Sequence, residues 1–144
     1  FIENCVKSGI KGIIIPDLPY EEAHEISEKL KKNNIVFIPL VSVTSEERIS
    51  KIASLGDGFV YAIGSLGVTG TKQVNLERLK NFISEIRNAS KLPVSLGFGI
   101  RTNEDVKHMR LYADGVIIGT SIVDLTSSGN VENTINEINK LFEV

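Results

Sequence analysis

Residues 115–119 read Gly115-Val116-Ile117-Ile118-Gly119, with three β-branched residues between two glycines and no polar residue alternating with them. A short continuous apolar run of this kind marks a strand buried on both faces, which is the signature of a parallel sheet. Working outward from it, four more such runs lie upstream: Leu92 to Gly97, Gly58 to Ile63, Ile35 to Val41 and Gly12 to Pro16. None of the five is long, and a segment of helical period separates each from the next.

The helical segments carry their own end signals. Pro19 suits a first helical position, Glu21 and Glu22 complement the dipole of the first turn, and Ala23, Ile26 and Leu30 form a buried stripe closed by Lys29, Lys31 and Lys32. Thr44 with Glu47 predicts a capping box ahead of Ile49, Ile52 and Ala53, with Gly56 as the stop. Asn75 caps a helix with Leu76, Leu79, Phe82, Ile83 and Ile86 inward. Thr102 with Asp105 caps the helix holding Val106 and Met109, and Asn130 opens a last helix with Val131, Ile135, Ile138 and Leu141 inward. Residues 1–9 read as the end of a helix, with Ile2, Cys5 and Val6 apolar and Gly9 as the stop.

Strict alternation of strand and helix leaves two architectures, the open doubly wound sheet and the eight-stranded barrel. A doubly wound nucleotide site places its glycine-rich turn after the first strand, where this chain has Pro16-Asp17-Leu18-Pro19. The barrel is therefore the expected fold. A whole (β/α)8 barrel takes about 250 residues, so the 144 residues are expected to be a single domain covering its last five βα units, with three upstream units absent.

Composition narrows the function. Sixteen basic and eighteen acidic side chains give a formal charge of −2, which offers no basic field for nucleic acid or an anionic membrane. The lone cysteine, Cys5, supplies neither an internal disulfide nor a cysteine metal cluster, fits a cytoplasmic protein, and reads as a small core residue. No apolar run approaches the roughly 20 residues needed to cross a bilayer.

Chemistry is expected where the strands end. Gly97-Phe98-Gly99 leaves the fourth run, and Gly119-Thr120-Ser121 leaves the fifth just before the apolar stretch Ile122-Val123-Asp124-Leu125. Barrels bind phosphate in the loops after their last two strands, often at a short extra helix, where backbone N–H groups can approach the anion. The anion is expected to be held by backbone donors between Gly99 and the Gly119-Thr120 turn, with no side-chain cation close to these loops. A third segment, Gly64 to Gln73, is longer and more polar than a minimal turn and reads as a lid.

Ile15-Pro16-Asp17-Leu18-Pro19, Gly67-Val68-Thr69-Gly70, Gly97-Phe98-Gly99-Ile100 and Ala113 to Thr120 together resemble the alpha subunit of tryptophan synthase, in order and spacing, from about Gly9 to Val123. The resemblance implies a barrel that cleaves indole-3-glycerol phosphate by a retro-aldol step into indole and glyceraldehyde 3-phosphate. It also implies an alpha2beta2 complex, with pyridoxal phosphate in the beta subunit and no cofactor in this one. Carried over residue by residue, it makes Gly70, Gly99, Gly119 and Thr120 the phosphate contacts. The resemblance likewise implies that Tyr61 and Phe98 wall the indole pocket, that Ile14 and Leu40 lie beneath, and that Thr69 closes the lid. Many relatives carry Ser-Arg where this chain has Gly64-Ser65. Pro19, Glu21 and Glu22 are the expected contacts with the beta subunit.

The glutamate and aspartate that move protons in the resembling family are expected upstream of this chain, so no catalytic residue and no metal ligand is assigned within it. Asp17 reads as a turn residue, and His24 and His108 as surface side chains. Two alternatives stand beside this reading. One is another phosphate-binding barrel, of the indole-glycerol-phosphate synthase or phosphoribosylanthranilate isomerase type, for which a catalytic lysine or an aspartate and cysteine pair is wanting at the strand ends. The other is a non-catalytic half-barrel that only binds phosphate or a partner.

Overall fold

The computed structural model describes residues 1–64, 76–97, 99–127 and 129–143. The expectations placed on Thr69, Gly70, Asn75 and Phe98, and on the lid beyond Gly64, lie outside these residues.

The order is α1 (Ile2–Lys7), β1 (Gly12–Ile13), α2 (Tyr20–Lys32), β2 (Val36–Phe37), β3 (Leu40–Ser42), α3 (Ile49–Ala53), β4 (Val60–Ile63), α4 (Leu76–Ala89), β5 (Val94–Gly97), α5 (Asn103–Met109), β6 (Gly115–Ile117), α6 (Thr120–Thr126) and α7 (Val131–Leu141). All strand pairs are parallel and follow chain order, β1 with β2 and then β3-β4-β5-β6. The expected second strand is thus two pieces, divided at Ile38-Pro39. Proline has no N–H to donate to a ladder. The chain nevertheless runs on through the break, for Ile38 donates back to Ile13 O at 2.9 Å while Tyr61 donates to Pro39 O at 2.9 Å. Residues 36–42 thereby bridge the two sheets.

Burial alternates along these strands, contrary to the expectation of two fully covered faces. Val41, Val60, Ala62, Val94 and Leu96 face the helices and are fully buried, packing with Leu79, Phe82, Ile83 and Ile86 of α4 and with Val106 and Met109 of α5. The other face carries Leu40, Tyr61, Ser95 and Gly115 in one register row and Ser42, Ile63, Gly97 and Ile117 in the next. It is mostly half-buried, because the strands do not close on themselves among the described residues. A smaller core joins Cys5, Ala23, Leu30, Ile35 and Phe37 under α1 and α2.

The helix ends follow the sequence in part. Thr102 and Asp105 form a full capping box on α5, and the Asn130 side chain accepts from Asn133 N–H at 3.0 Å to cap α7. α1 stops at Gly9, and α2 stops at Asn34 (φ +55), where Ile35 donates to Leu30 O and Asn34 to Lys31 O. That Schellman turn uses the residue after glycine most able to adopt a left-handed conformation. Pro19 is the N-cap of α2, in extended conformation, one position outside the helix.

Other expectations fail. The Thr44 hydroxyl pairs with Ser42 Oγ at 2.9 Å, no side chain caps α3, and a turn of 3-10 helix over Glu46–Arg48 leads into it. Serine and threonine so close to a strand end satisfy neighbouring groups of the turn first. In α7, Val131 and Ile135 are 72% and 52% exposed while Thr134 is buried, its hydroxyl within donating distance of Asn130 O at 2.8 Å and Leu125 O at 3.1 Å. α7 therefore meets α6 and α5 through Thr134 and Leu141, with much of its apolar stripe uncovered by the described residues. Leu76, at the first position of α4, is likewise exposed. No helix among the described residues is long and apolar enough to cross a membrane.

Candidate functional site at the strand ends

Three adjacent strands end in Ile63, Gly97 and Ile117, and these final residues lie in register with one another. Around them is a cavity of about 260 Å³, completed by Tyr61, Gly99, Ile100, Arg101, Gly119 and Thr120. The structure thus brings together four residues singled out in the sequence, Tyr61, Gly99, Gly119 and Thr120, from three separate loops and strands.

Each is placed by local structure. Tyr61 sits on the inward face of β4, and its ring lies over Gly97 of β5 so closely that a Cβ there would fall 2.3 Å from Tyr61 Cε2. Gly99 has φ +47, a conformation that L side chains adopt rarely, and its side-chain direction is open space. Gly119 is the N-cap of α6, also with nothing within 4 Å of where a Cβ would stand. The first N–H groups of a helix have no partner within it, so the turn at Gly119-Thr120-Ser121 offers backbone donors. Because α6 spans only seven residues, those local donors matter more than any helix dipole. The two loops are tied together by Ser121 Oγ, which donates to Ile100 O at 3.1 Å.

The expectation that no side-chain cation stands close to these loops is corrected by Arg101, which lies two residues beyond Gly99 and lines the cavity. It is the only charged residue lining the cavity among those described. Its backbone is fixed by Asp105, whose Oδ2 accepts from Arg101 N–H at 3.0 Å and Thr102 N–H at 2.9 Å. Partial burial pushes the Asp105 carboxyl up, but these N–H groups, the Thr102 side chain and the nearby His108 together hold it below its ordinary value. The arginine and the strand-end isoleucines carry a signal that sequence alone holds: Arg101 stands two residues past Gly99, Ile63 directly before Gly64, and Ile117 two residues before Gly119.

Leu40 pairs in register with Tyr61 but lines a neighbouring apolar cavity of about 210 Å³ with Ile15, Leu18 and Tyr20. Ile14 is half-buried just past β1. Asp17 is exposed in the turn before α2. His24 is exposed on α2, and His108 is exposed on α5 with its ring edge-on to Tyr112 at 5.6 Å. A larger hollow of about 550 Å³ lies beside Thr44, Glu47, Arg48 and Lys51. Its charged lining is exposed and of mixed sign, and no strand-end glycine opens onto it, so the smaller cavity is the better candidate. No acid or base lines that smaller cavity among the described residues.

Known proteins share this sequence pattern and this fold. The profile of the family described as tryptophan synthase alpha chain matches residues 1–144. The tryptophan synthase alpha chain of Bacillus cereus is 48% identical over 126 residues, covering 87% of this chain and 49% of that one. The solved tryptophan synthase subunit alpha of Campylobacter jejuni superposes with a TM-score of 0.87 at 41% identity, over 99% of this chain and 58% of that one. The structure described as the tryptophan synthase a2b2 complex of Pyrococcus furiosus matches at 26% identity and a TM-score of 0.79, over 98% of this chain and 58% of that one. The chain thus spans about half to three fifths of the length of these relatives, and its parallel strands and outer helices are part of a (β/α)8 barrel. With its profile matched end to end and its strand-end cavity where such barrels bind their ligands, the chain belongs to the tryptophan synthase alpha chain family.

Proposed function

We propose that this chain holds indole-3-glycerol phosphate for retro-aldol cleavage to indole and glyceraldehyde 3-phosphate, as a lyase of tryptophan biosynthesis in the cytoplasm. The observation that carries the reading is the meeting of Gly99, Gly119 and Thr120 with the Tyr61 ring around one cavity at the strands' C-terminal ends. Backbone N–H groups at the two glycine loops suit phosphate oxygens, and the aromatic ring with Ile63 and Ile117 suits the flat, apolar indole. Gly70, Thr69 and Phe98 belong to the same proposal as third phosphate contact, lid residue and second indole wall, with Ile14 and Leu40 beneath.

The division of labour follows from what lines the cavity. Cleavage needs an acid to protonate indole C3 and a base to take a proton from the glycerol chain. Neither Asp, Glu nor His lines the cavity among the described residues. This chain's part is to bind and orient, with the glutamate and aspartate supplied from outside these 144 residues. The partner in the proposal is a beta subunit carrying pyridoxal phosphate, in an alpha2beta2 complex. What supports it is family membership and the exposure of Pro19, Glu21 and Glu22 at the start of α2.

Titration with glycerol 3-phosphate and with indole tests the site. Amide shifts are expected at Gly99, Gly119 and Thr120 for the first ligand, and around Tyr61 for the second. Gly119→Asp should abolish binding of the phosphate, since its carboxylate would project into space that no protein atom fills. Shifts confined to other loops, or unaltered phosphate binding by Gly119→Asp, would reject the reading.

A further inference from the structure

We propose that Arg101 is a side-chain ligand of the substrate phosphate, so that the site binds a dianion through charge as well as through backbone donors. The inference rests on the reading of this cavity as a phosphate site and adds a residue to it. The backbone donors of the glycine loops are neutral, and the chain as a whole carries a formal charge of −2, so nothing in the average field draws an anion here. Of the described residues lining the cavity, only Arg101 is charged. It stands two residues past Gly99, and Ser121 Oγ, bonded to Ile100 O at 3.1 Å, binds the preceding residue to the turn that carries Gly119 and Thr120. Both glycine loops are therefore held at a fixed separation beside it.

Among the described residues the guanidinium has no ion-pair or hydrogen-bond partner. The ion pairs among the described residues are Lys29 with Glu25, Arg87 with Asp114, and Lys140 with Glu137, and Arg101 is in none of them. Of the two carboxylates nearest in sequence, Glu104 is exposed and in none of these ion pairs, and Asp105 accepts through Oδ2 from the backbone N–H groups of Arg101 and Thr102. That arrangement fixes the Arg101 backbone at the mouth of the cavity and leaves its exposed side chain for a ligand. A planar fork of N–H donors matches two phosphate oxygens at once, and a lysine ammonium does not.

The test is made on the protein expressed from its own gene. Wild type, Arg101→Ala and Arg101→Lys are titrated with glycerol 3-phosphate and, separately, with indole, at low and high sodium chloride. Arg101→Ala should weaken glycerol 3-phosphate about tenfold, the low end for a charge-assisted contact near solvent. Arg101→Lys should recover part of the loss, and wild-type affinity should fall more steeply with salt than that of Arg101→Ala. Indole carries no phosphate and should bind all three alike. Glycerol 3-phosphate affinity within twofold across the series, with one common salt dependence, would overturn the role of Arg101 and leave the phosphate site standing. Equal loss of both ligands would make Arg101 a structural residue and also overturn the proposal. Failure of wild type to bind glycerol 3-phosphate at all would remove the site and this ligand together.

Discussion

The Tyr61 ring rests on the backbone of Gly97, and a Cβ on that glycine would stand 2.3 Å from Tyr61 Cε2 and 2.6 Å from its hydroxyl. The two residues are neighbours on adjacent parallel strands, Tyr61 in register with Ser95 and Ile63 with Gly97. The absence of a side chain at Gly97 is thus what seats the ring at the floor of the cavity. Gly97→Ala should push Tyr61 aside, destabilise by about 1 to 3 kcal/mol through overpacking, and weaken indole binding. Tyr61→Ala removes the clash, so the two substitutions should be strongly non-additive. A double-mutant cycle on unfolding free energy decides it, and additive effects would mean that the ring does not depend on the glycine.

The same pair shows what the sequence could and could not tell. That strands lie within residues 58–63 and 92–97, and that the second of them ends at a glycine, is legible from continuous apolar runs and glycine placement. That the Tyr61 ring needs Gly97 is not, because strand register depends on the whole sheet. The break at Pro39 could have been read from the missing N–H donor alone. Val131 and Ile135 misled because helical period tells which side is apolar, and the described residues leave that side of α7 largely uncovered. Arg101 is legible as a cation two residues beyond Gly99, but its place at the cavity is not, because that depends on how the two glycine loops are set beside each other.

A second contact holds the other end of the strands. Asp114 Oδ2 accepts from Val94 N–H at 2.8 Å and Oδ1 from Arg87 Nη2 at 3.1 Å, joining the end of α4, the start of β5 and the start of β6. The Val94 N–H, opposed by slight burial and aided by Arg87, holds the Asp114 carboxyl below its ordinary value. A carboxylate whose folded pKa is depressed stabilises the fold above its unfolded value, about 3.9 for aspartate, and that contribution disappears as pH falls through the lower folded value. Asp114→Asn should therefore be less stable than wild type at neutral pH, and the gap should close below about pH 4. Urea unfolding across that range measures it, and a gap independent of pH would show that the charge is not what matters.

α7 is held at its C-terminal end by one amide. Asn103 Nδ2 lies 3.0 Å from Lys140 O, 3.2 Å from Leu141 O and 2.7 Å from Glu143 O, within donating distance of carbonyls that the helix leaves unpaired. Asn103→Ala should cost about 1 kcal/mol and speed amide exchange in the last turn of α7. Asn103→Asp should cost more, since it sets a carboxylate against those carbonyl oxygens. Exchange in that turn unchanged by both variants would show that the amide does not hold α7.

The cavity contains donors and an aromatic wall but no described acid or base, so binding and turnover should separate. A positioned general acid or base typically contributes about 10²- to 10⁴-fold each, and a site without either should bind its substrate and leave it intact. Residues 1–144 expressed alone, if they retain the cavity, should take up glycerol 3-phosphate at the strand-end loops yet release no indole from saturating indole-3-glycerol phosphate. The alpha chain of Campylobacter jejuni, of which this chain covers 58%, is the comparison under the same conditions and should release it readily. Indole release by the short chain within tenfold of that relative would place a proton-transfer group among these residues after all. Asp17 would then be the first to substitute, because it is a carboxylate in the turn that follows β1, a loop leaving the C-terminal end of a strand as the cavity's loops do. If Asp17→Asn left that release unchanged, the search would move to the carboxylates and histidines of the remaining loops at that end.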